Sequence, residues 1–212
     1  ETIDADALTD GDVLTLTGSN GATVSLVGGD LSAAAYAGVL EVTATNGSNV
    51  IITGDASDTI IGGGGADELT GGASADTFVF GATDSLIASM DVIKDFASNS
   101  DIIDHAIALT IGGAADGATV GNANIDTNGL ATFADADNEL AEMIAAVAAN
   151  LEATNSNTAG KTAIFVLGTD TYAFITDAAG GNTTGDTLIQ LEGVNGAAFD
   201  TITVTDGAVT IG

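Results

Sequence analysis

Between Ala44 and Val79 the chain repeats itself every nine residues, and this period constrains the fold more than any other feature. The fullest copy is Gly62-Gly63-Gly64-Gly65-Ala66-Asp67-Glu68-Leu69-Thr70. It fits G-G-x-G-x-D-x-U-x at every fixed position, where U is a large apolar residue. One repeat later, Gly71 to Val79 keeps the pattern with Ser74 in place of the third glycine. One repeat earlier, Thr53 to Ile61 keeps Gly54, Asp58 and Ile60, and before it Ala44 to Ile52 keeps Gly47 and Ile51. The sixth positions are Asn49, Asp58, Asp67 and Asp76, and the eighth positions are Ile51, Ile60, Leu69 and Phe78. Val42 extends the apolar series upstream, with Leu40 where an aspartate would fall.

The spacing has a mechanical reading. Each nonapeptide makes a tight turn followed by a very short strand, and the glycines allow backbone angles that a Cβ would forbid. The eighth-position side chain points inward and stacks on its neighbours. Two nonapeptides complete one turn of a coil, so Asn49 is expected above Asp67 and Asp58 above Asp76. Two stacked turns then offer carboxylates and backbone carbonyls to a hard cation such as Ca²⁺, which takes six to eight oxygens at roughly 2.3–2.6 Å. Asn49 supplies only a neutral oxygen, so its site with Asp67 is expected to be weaker than that of Asp58 with Asp76. The alternative is a flexible Gly/Asp-rich linker, but a linker has no reason to hold an apolar residue in fixed register.

Residues Gly54 to Phe80 resemble the repeats-in-toxin (RTX) family, whose members leave bacteria by type I secretion. Asp91-Val92-Ile93-Lys94-Asp95-Phe96-Ala97-Ser98-Asn99-Ser100-Asp101-Ile102-Ile103-Asp104 resembles the segment that follows the repeats in serralysin-type proteins. It departs from it at two places: Asn99 or Ser100 falls where a glycine is usual, and His105 replaces the final leucine. Asp170 to Asp177 and Asp186 to Val194 resemble the closing hairpin of the same family. Asp30 to Ala34 and Val39 to Ala44 resemble the β-solenoid of RTX-type surface-layer (S-layer) proteins. The resemblance implies Ca²⁺ as cofactor. It implies ligands among Asn49, Gly54, Asp58, Gly63, Gly65, Asp67, Gly72 and Asp76, with Asp95, Asp101 and Asp104 as post-repeat candidates. The competing reading of those last three is a solvated acidic loop. Asp55, Asp84 and Asp91 stand as unranked contributors. The final several dozen residues would carry an uncleaved secretion signal.

Composition narrows the function. Thirty acidic residues face two basic ones, Lys94 and Lys161, for a formal charge of −28. Such a field opposes compaction and disfavours nucleic acid and anionic membranes as partners. The chain is nevertheless 45% hydrophobic, with seven Phe, two Tyr, no Trp, no Pro and no Cys. A core must therefore come from Val, Ile, Leu and Ala, which suits thin stacked strands, and disulfides and thiolate metal sites are excluded. No apolar run approaches the roughly 18 residues of a membrane span. No cleavable secretory signal is visible, and Glu1 reads as the start of a C-terminal piece of a longer protein.

Catalytic signals are sparse. His105 is the only histidine, so an H-E-x-x-H zinc site is excluded, and no G-x-S-x-G elbow occurs. His105 reads as a structural residue. A phosphate cradle at Gly62 to Gly65 is argued against by the missing lysine, by Asp67 and by the overall charge.

The expected architecture is mainly β: a right-handed parallel β-roll or β-solenoid with a β-rich cap and one amphipathic helix. Residues 1–43 form a solenoid-like segment, with strands at Val13–Thr17 and Ala22–Val27. Residues 44–104 form the calcium-binding roll and its cap, closed by Phe78, Phe80, Val92, Ile93 and Phe96. Residues 105–212 form the C-terminal domain. In it 111–134 is irregular, and a helix of about 136–152 carries Leu140, Met143, Ile144, Val147, Ala148 and Leu151 on one stripe. Asp135 or Asp137 caps the helix and Asn155 to Gly160 ends it. Strands Thr162–Leu167, Thr171–Thr176, Thr187–Leu191 and Thr201–Thr205 make a final sheet, with a turn at Asp170-Thr171 and a loop at Ala178 to Asn182. The expected function is non-enzymatic: the calcium-dependent region of a secreted S-layer protein that self-associates at the cell surface. The alternatives are the secretion module of an exported serralysin-like protease or lipase, or an adhesin.

Overall fold

The computed structural model describes residues 1–9, 11–111, 123–134, 138–153, 159–177, 184–195, 202–205 and 208–211. Short strands follow one another from the N-terminus: β1 (Thr2–Asp4), β2 (Val13–Thr15), β3 (Ala22–Leu26), β4 (Asp30–Ser32), β5 (Leu40–Ala44) and β6 (Val50–Ile52). The series continues with β7 (Thr59–Ile61), β8 (Glu68–Thr70), β9 (Thr77–Phe80), β10 (Asp91–Ile93) and β11 (Ile102–His105). Odd-numbered strands lie side by side in one sheet and even-numbered strands in the other, all parallel to their neighbours. The chain therefore winds as a β-roll with two strands per turn.

Glu41 pairs with Thr59, and Thr59 with Thr77, a step of 18 residues or two nonapeptides. The other sheet takes the same step from Val50 to Glu68. Both sheets run without interruption across residues 43 and 44, so the solenoid-like segment and the repeats share one coil. Beyond the repeats the step lengthens, with Glu68 pairing to Val92 and Thr77 to Ile102.

The period-two alternation of the strands sends every eighth-position side chain inward. Ile51, Ile60, Leu69 and Phe78 are fully buried, and Val24, Val42, Ile93 and Ile103 extend the same core at both ends. Phe80 and Phe96 are buried too, with the Phe96 ring tilted against Phe78 at 6.4 Å between centroids. Val92 differs from expectation. It sits between buried Asp91 and buried Ile93 on the opposite face of β10 and is only half-buried, so it does not close the roll.

The C-terminal part contributes β12 (Thr110–Ile111), β13 (Asn124–Ile125), β14 (Ala131–Thr132), α1 (Leu140–Ala153), β15 (Lys161–Leu167), β16 (Asp170–Ile175), β17 (Thr187–Leu191), β18 (Ile202–Thr205) and β19 (Ala208–Ile211). It is not built around one separate sheet. Strands β15 to β17 form an antiparallel meander, and β17 then pairs in parallel with β10, extending one sheet of the roll. Strand β19 pairs antiparallel with β11, so the strand expected at 201–205 extends the other sheet instead. The physical reason is the open edge of each parallel sheet, whose N–H and C=O groups need partners. The turn between β15 and β16 falls at Gly168 and Thr169 rather than Asp170-Thr171, because Gly168 takes φ +67° at no steric cost.

Helix α1 begins at Leu140, later than expected. Its stripe of Met143, Ile144, Val147, Ala148 and Leu151 is buried in a second core with Phe165, Phe174 and Leu188. The expected caps Asp135 and Asp137, the stop at 155–158 and the loop at 178–182 lie outside the described residues, as does 112–122 of the segment expected to be irregular. Backbone N–H groups of Asn138 and Glu139 donate to the Glu142 carboxylate, which suits the positive helix end. At the other end Lys161 Nζ donates to the Leu151 carbonyl at 2.6 Å.

Replacing Phe78 by Ala should cost about 3–5 kcal/mol, whereas Val13→Ala, at 56% exposed, should stay within about 0.5 kcal/mol. Urea unfolding in the presence of calcium measures both.

Candidate metal centre

The strand registers decide which turns meet. Because β6, β8 and β10 pair in order, Asn49, Asp67 and Asp91 occupy equivalent places on successive coils. Because β5, β7, β9 and β11 pair in order, Leu40, Asp58, Asp76 and Asp101 do the same on the other side. Each acidic member then bonds to the residue above it. The backbone N–H of Asn49 donates to Asp67 Oδ1 at 2.8 Å, and that of Asp67 to Asp91 Oδ1 at 2.9 Å. On the second side Leu40 N–H donates to Asp58 (2.7 Å), Asp58 N–H to Asp76 (2.8 Å) and Asp76 N–H to Asp101 (3.0 Å). Two carboxylate ladders thus run along the roll, one on each side.

The ladders are dry. Asn49, Asp58, Asp67, Asp76, Asp91 and Asp101 are each at most 3% exposed. Burial pushes Asp67 and Asp76 up to about 6 and Asp91 up to about 8, from 3.8, against the opposing pull of their backbone N–H donors. The charge of Asp67 raises Asp91 further, and those of Asp101, Asp58 and Asp95 raise Asp76. Burial likewise raises Asp101.

The second carboxylate oxygens of Asp58 and Asp101 are bonded, and those of Asp67 and Asp91 are not. Asp58 Oδ2 accepts from Gly54 N–H at 3.1 Å, and Asp101 Oδ2 from Ala97 N–H at 2.8 Å. Asp67 Oδ2 and Asp91 Oδ2 have no partner, and neither does Asn49 Oδ1, although Asn49 Nδ2 donates to the Gly29 carbonyl. Buried orphan oxygens are costly and call for a donor, a water or a cation.

Glycines set how closely the turns approach. Gly63 (φ +78°) and Gly72 (φ +94°) take the left-handed region. A Cβ on Gly63 would lie 2.5 Å from the Thr45 carbonyl oxygen, and one on Gly72 would overlap that of Gly54. A Cβ on Gly65 would overlap the Gly47 carbonyl, and one on Gly54 the Tyr36 carbonyl. Turn carbonyls therefore crowd onto the next coil beside each aspartate. Ser74 holds φ +78° without being glycine, and its Oγ donates to the Asp55 carbonyl at 2.8 Å.

This donor set fits a hard cation. Among the described residues no three His, Cys, Asp or Glu side chains converge as a metal cluster, so most ligands would be backbone oxygens. Of the post-repeat candidates, Asp101 continues the second ladder. Asp95 instead accepts from Gly71 and Gly72 N–H groups at 3.0 and 2.7 Å, one with each oxygen. Asp104 is half-buried on β11, Asp55 is exposed, and Asp84 accepts from Gly81 N–H at 2.7 Å. Asp91, left unranked by the sequence, sits directly in the first ladder. A signal for it exists: Asp91-Val92-Ile93 repeats the aspartate-to-apolar spacing of Asp67-Glu68-Leu69.

Residues 43–81 match the family described as the RTX calcium-binding nonapeptide repeat, in four copies. No curated protein matches the chain. The repeats are thus calcium-binding in type, and the matched residues carry Asn49 and Asp67 of the first ladder and Asp58 and Asp76 of the second.

Two outcomes follow from this geometry. Gly72→Ala combines a left-handed φ with a backbone overlap and should cost about 3 kcal/mol or more, whereas Gly168→Ala, with φ +67° and open space around it, should cost about 1–2 kcal/mol. Urea unfolding in calcium compares them. In chelator, lowering the pH from about 8 to about 5 should increase the folded circular dichroism signal. The raised carboxylates bind more protons folded than unfolded across this range, so stability falls as pH rises through it. His105, lowered by burial, acts in the opposite sense below its ordinary 6.5, but it is one group against several. A folded signal that shrinks on acidification would contradict the assignment.

Proposed function

We propose that this chain is the calcium-dependent folding region of an exported bacterial surface protein of the S-layer kind. Bound calcium would supply the positive charge that the stacked turns lack. The protein oxygens that would hold it are the carboxylates of Asp58, Asp67 and Asp76, the amide oxygen of Asn49, and turn carbonyls around Gly54, Gly63, Gly65 and Gly72. The observation that carries this reading is the buried, partly unpartnered row of sixth-position oxygens within the matched repeats.

The stacked turns exist only in the coiled chain, so ion-binding energy appears as folding energy. At −28 the cation-free chain repels itself, which keeps it extended where calcium is scarce. Export through a type I system followed by folding in external calcium fits that property. Among the described residues no helix is long and apolar enough to cross a membrane. Residues 1–43 are coils of the same roll, which supports an upstream solenoid over an upstream catalytic domain. The non-catalytic reading draws support from His105. It is buried, its Nδ1 accepts from Ile107 N–H at 3.2 Å, and its Nε2 faces Thr187 Oγ1 at 3.3 Å.

Circular dichroism near neutral pH tests the folding role: strand signal should appear on adding calcium to chelated protein and vanish again with excess chelator. An equally folded spectrum in chelator would defeat it. Electron microscopy at millimolar calcium tests assembly, with ordered sheets expected and dispersed monomers counting against the S-layer role.

A further inference from the structure

An Asn-Gly step occurs at Asn20, Asn46, Asn128 and Asn195. Such a step is chemically labile, because glycine puts no side chain in the way when its own backbone nitrogen attacks the asparagine amide. Asn46–Gly47 is the step that falls inside the matched repeats. Asn46 is exposed, so water and base reach its amide. Its backbone is gripped by the next coil. Asn46 is bridged in parallel to Gly64, and the Thr45 carbonyl accepts from Gly64 N–H at 3.0 Å. A Cβ on Gly63 would lie 2.5 Å from the Thr45 carbonyl oxygen, and one on Gly65 would lie 1.9 Å from that of Gly47. The Asn46–Gly47 peptide therefore sits between two carbonyls pressed against the next coil, with no room to rotate.

We propose that Asn46 is a site of spontaneous modification to isoaspartate, open in the uncoiled chain, closed in the roll, and incompatible with the roll once made. The inference rests on the calcium-dependent reading given above and adds a chemical penalty for delay in folding. The Gly47 nitrogen attacks Asn46 Cγ and a C–N bond forms. The side-chain nitrogen leaves as ammonia, carrying the Gly47 proton, and a five-membered succinimide remains. Water then adds to one of the two ring carbonyl carbons and breaks its C–N bond. One opening gives aspartate, the other isoaspartate, and no electrons are transferred.

The two products differ in backbone length. Aspartate keeps it and replaces an exposed amide by an exposed carboxylate. Isoaspartate carries the chain through the former side chain and inserts one methylene between the Thr45 and Gly47 carbonyls. Those carbonyls already crowd Gly63 and Gly65, so the longer turn cannot stack. The other described steps lie elsewhere. Asn128–Gly129 closes a local turn, in which Gly129 N–H donates to the Asp126 carbonyl at 3.0 Å. Asn20 abuts Gly38 of the next coil but precedes the repeats.

Ageing the 212-residue chain at mildly alkaline pH, in chelator and in calcium, tests the site by peptide mass mapping with isoaspartate methyltransferase labelling. Isoaspartate at position 46 should form at least about tenfold more slowly in calcium, because reaction then waits on opening of the turn. The sample aged in chelator is next returned to calcium, and its folded and unfolded fractions are separated by size. Isoaspartate at position 46 should collect in the unfolded fraction, while aspartate there should divide as the unmodified chain does. Asn46→Gln cannot close the five-membered ring, and after the same ageing it should keep a larger refoldable fraction than wild type. A fresh wild-type chain that does not fold in calcium defeats the parent reading. A chain that folds in calcium but modifies at position 46 equally fast in both conditions overturns this inference alone. So does isoaspartate divided evenly between the fractions, or an equal loss of refolding in wild type and Asn46→Gln.

Discussion

Carboxylates stacked one strand apart, in a dry interior, are the constraint that the rest of the roll answers. Two unit charges about 4.8 Å apart repel by roughly 3–4 kcal/mol at an effective dielectric near 20. A charge-assisted hydrogen bond returns about 1.5–3 kcal/mol. The N–H from the coil above therefore offsets much of the repulsion on each rung, but it satisfies only Oδ1. On the second side the outer oxygens of Asp58 and Asp101 find backbone donors. On the first side Asp67 and Asp91 find none. Asp67 and Asp91 therefore ask more of a cation than Asp58 and Asp101 do.

The same stacking forces the glycines. Turn carbonyls sit where side chains at Gly54, Gly63, Gly65 and Gly72 of the next coil would begin, so those positions can carry no bulk. Within the repeats the fully buried bulk falls at the eighth position, where Ile51, Ile60, Leu69 and Phe78 meet in the centre. Separating small residues at the turns from large ones inside is what lets a three-residue strand suffice. It also explains the composition: aliphatic side chains fill a thin core that Trp would overfill.

A coil of parallel strands has no natural end, and the C-terminal part supplies one. Strands β17 and β19 cover the two last edges, by parallel pairing on one sheet and antiparallel pairing on the other. Both lysines of the chain serve this region. Lys94, just after β10, forms an ion pair with Glu192 beyond β17, and Lys161 anchors the carbonyl end of α1. At the first coil Ile3, Leu8, Leu14 and Leu16 are only partly buried against the core.

The nine-residue period by itself determined the roll: the step of two repeats per turn, the inward ladder, and the meeting of Asn49 with Asp67 and Asp58 with Asp76 all follow from local spacing. The stripe of α1 was legible for the same reason, because amphipathic periodicity reports burial without reference to the partner. Tertiary structure alone decided how β17 and β19 join the roll, because strand pairing across about a hundred residues leaves no periodic trace. It also decided which post-repeat aspartate enters a ladder. Asp91, Asp95 and Asp101 are chemically identical, and only the register of β10 against β8, and of β11 against β9, tells a buried rung from a carboxylate spent on turn amides.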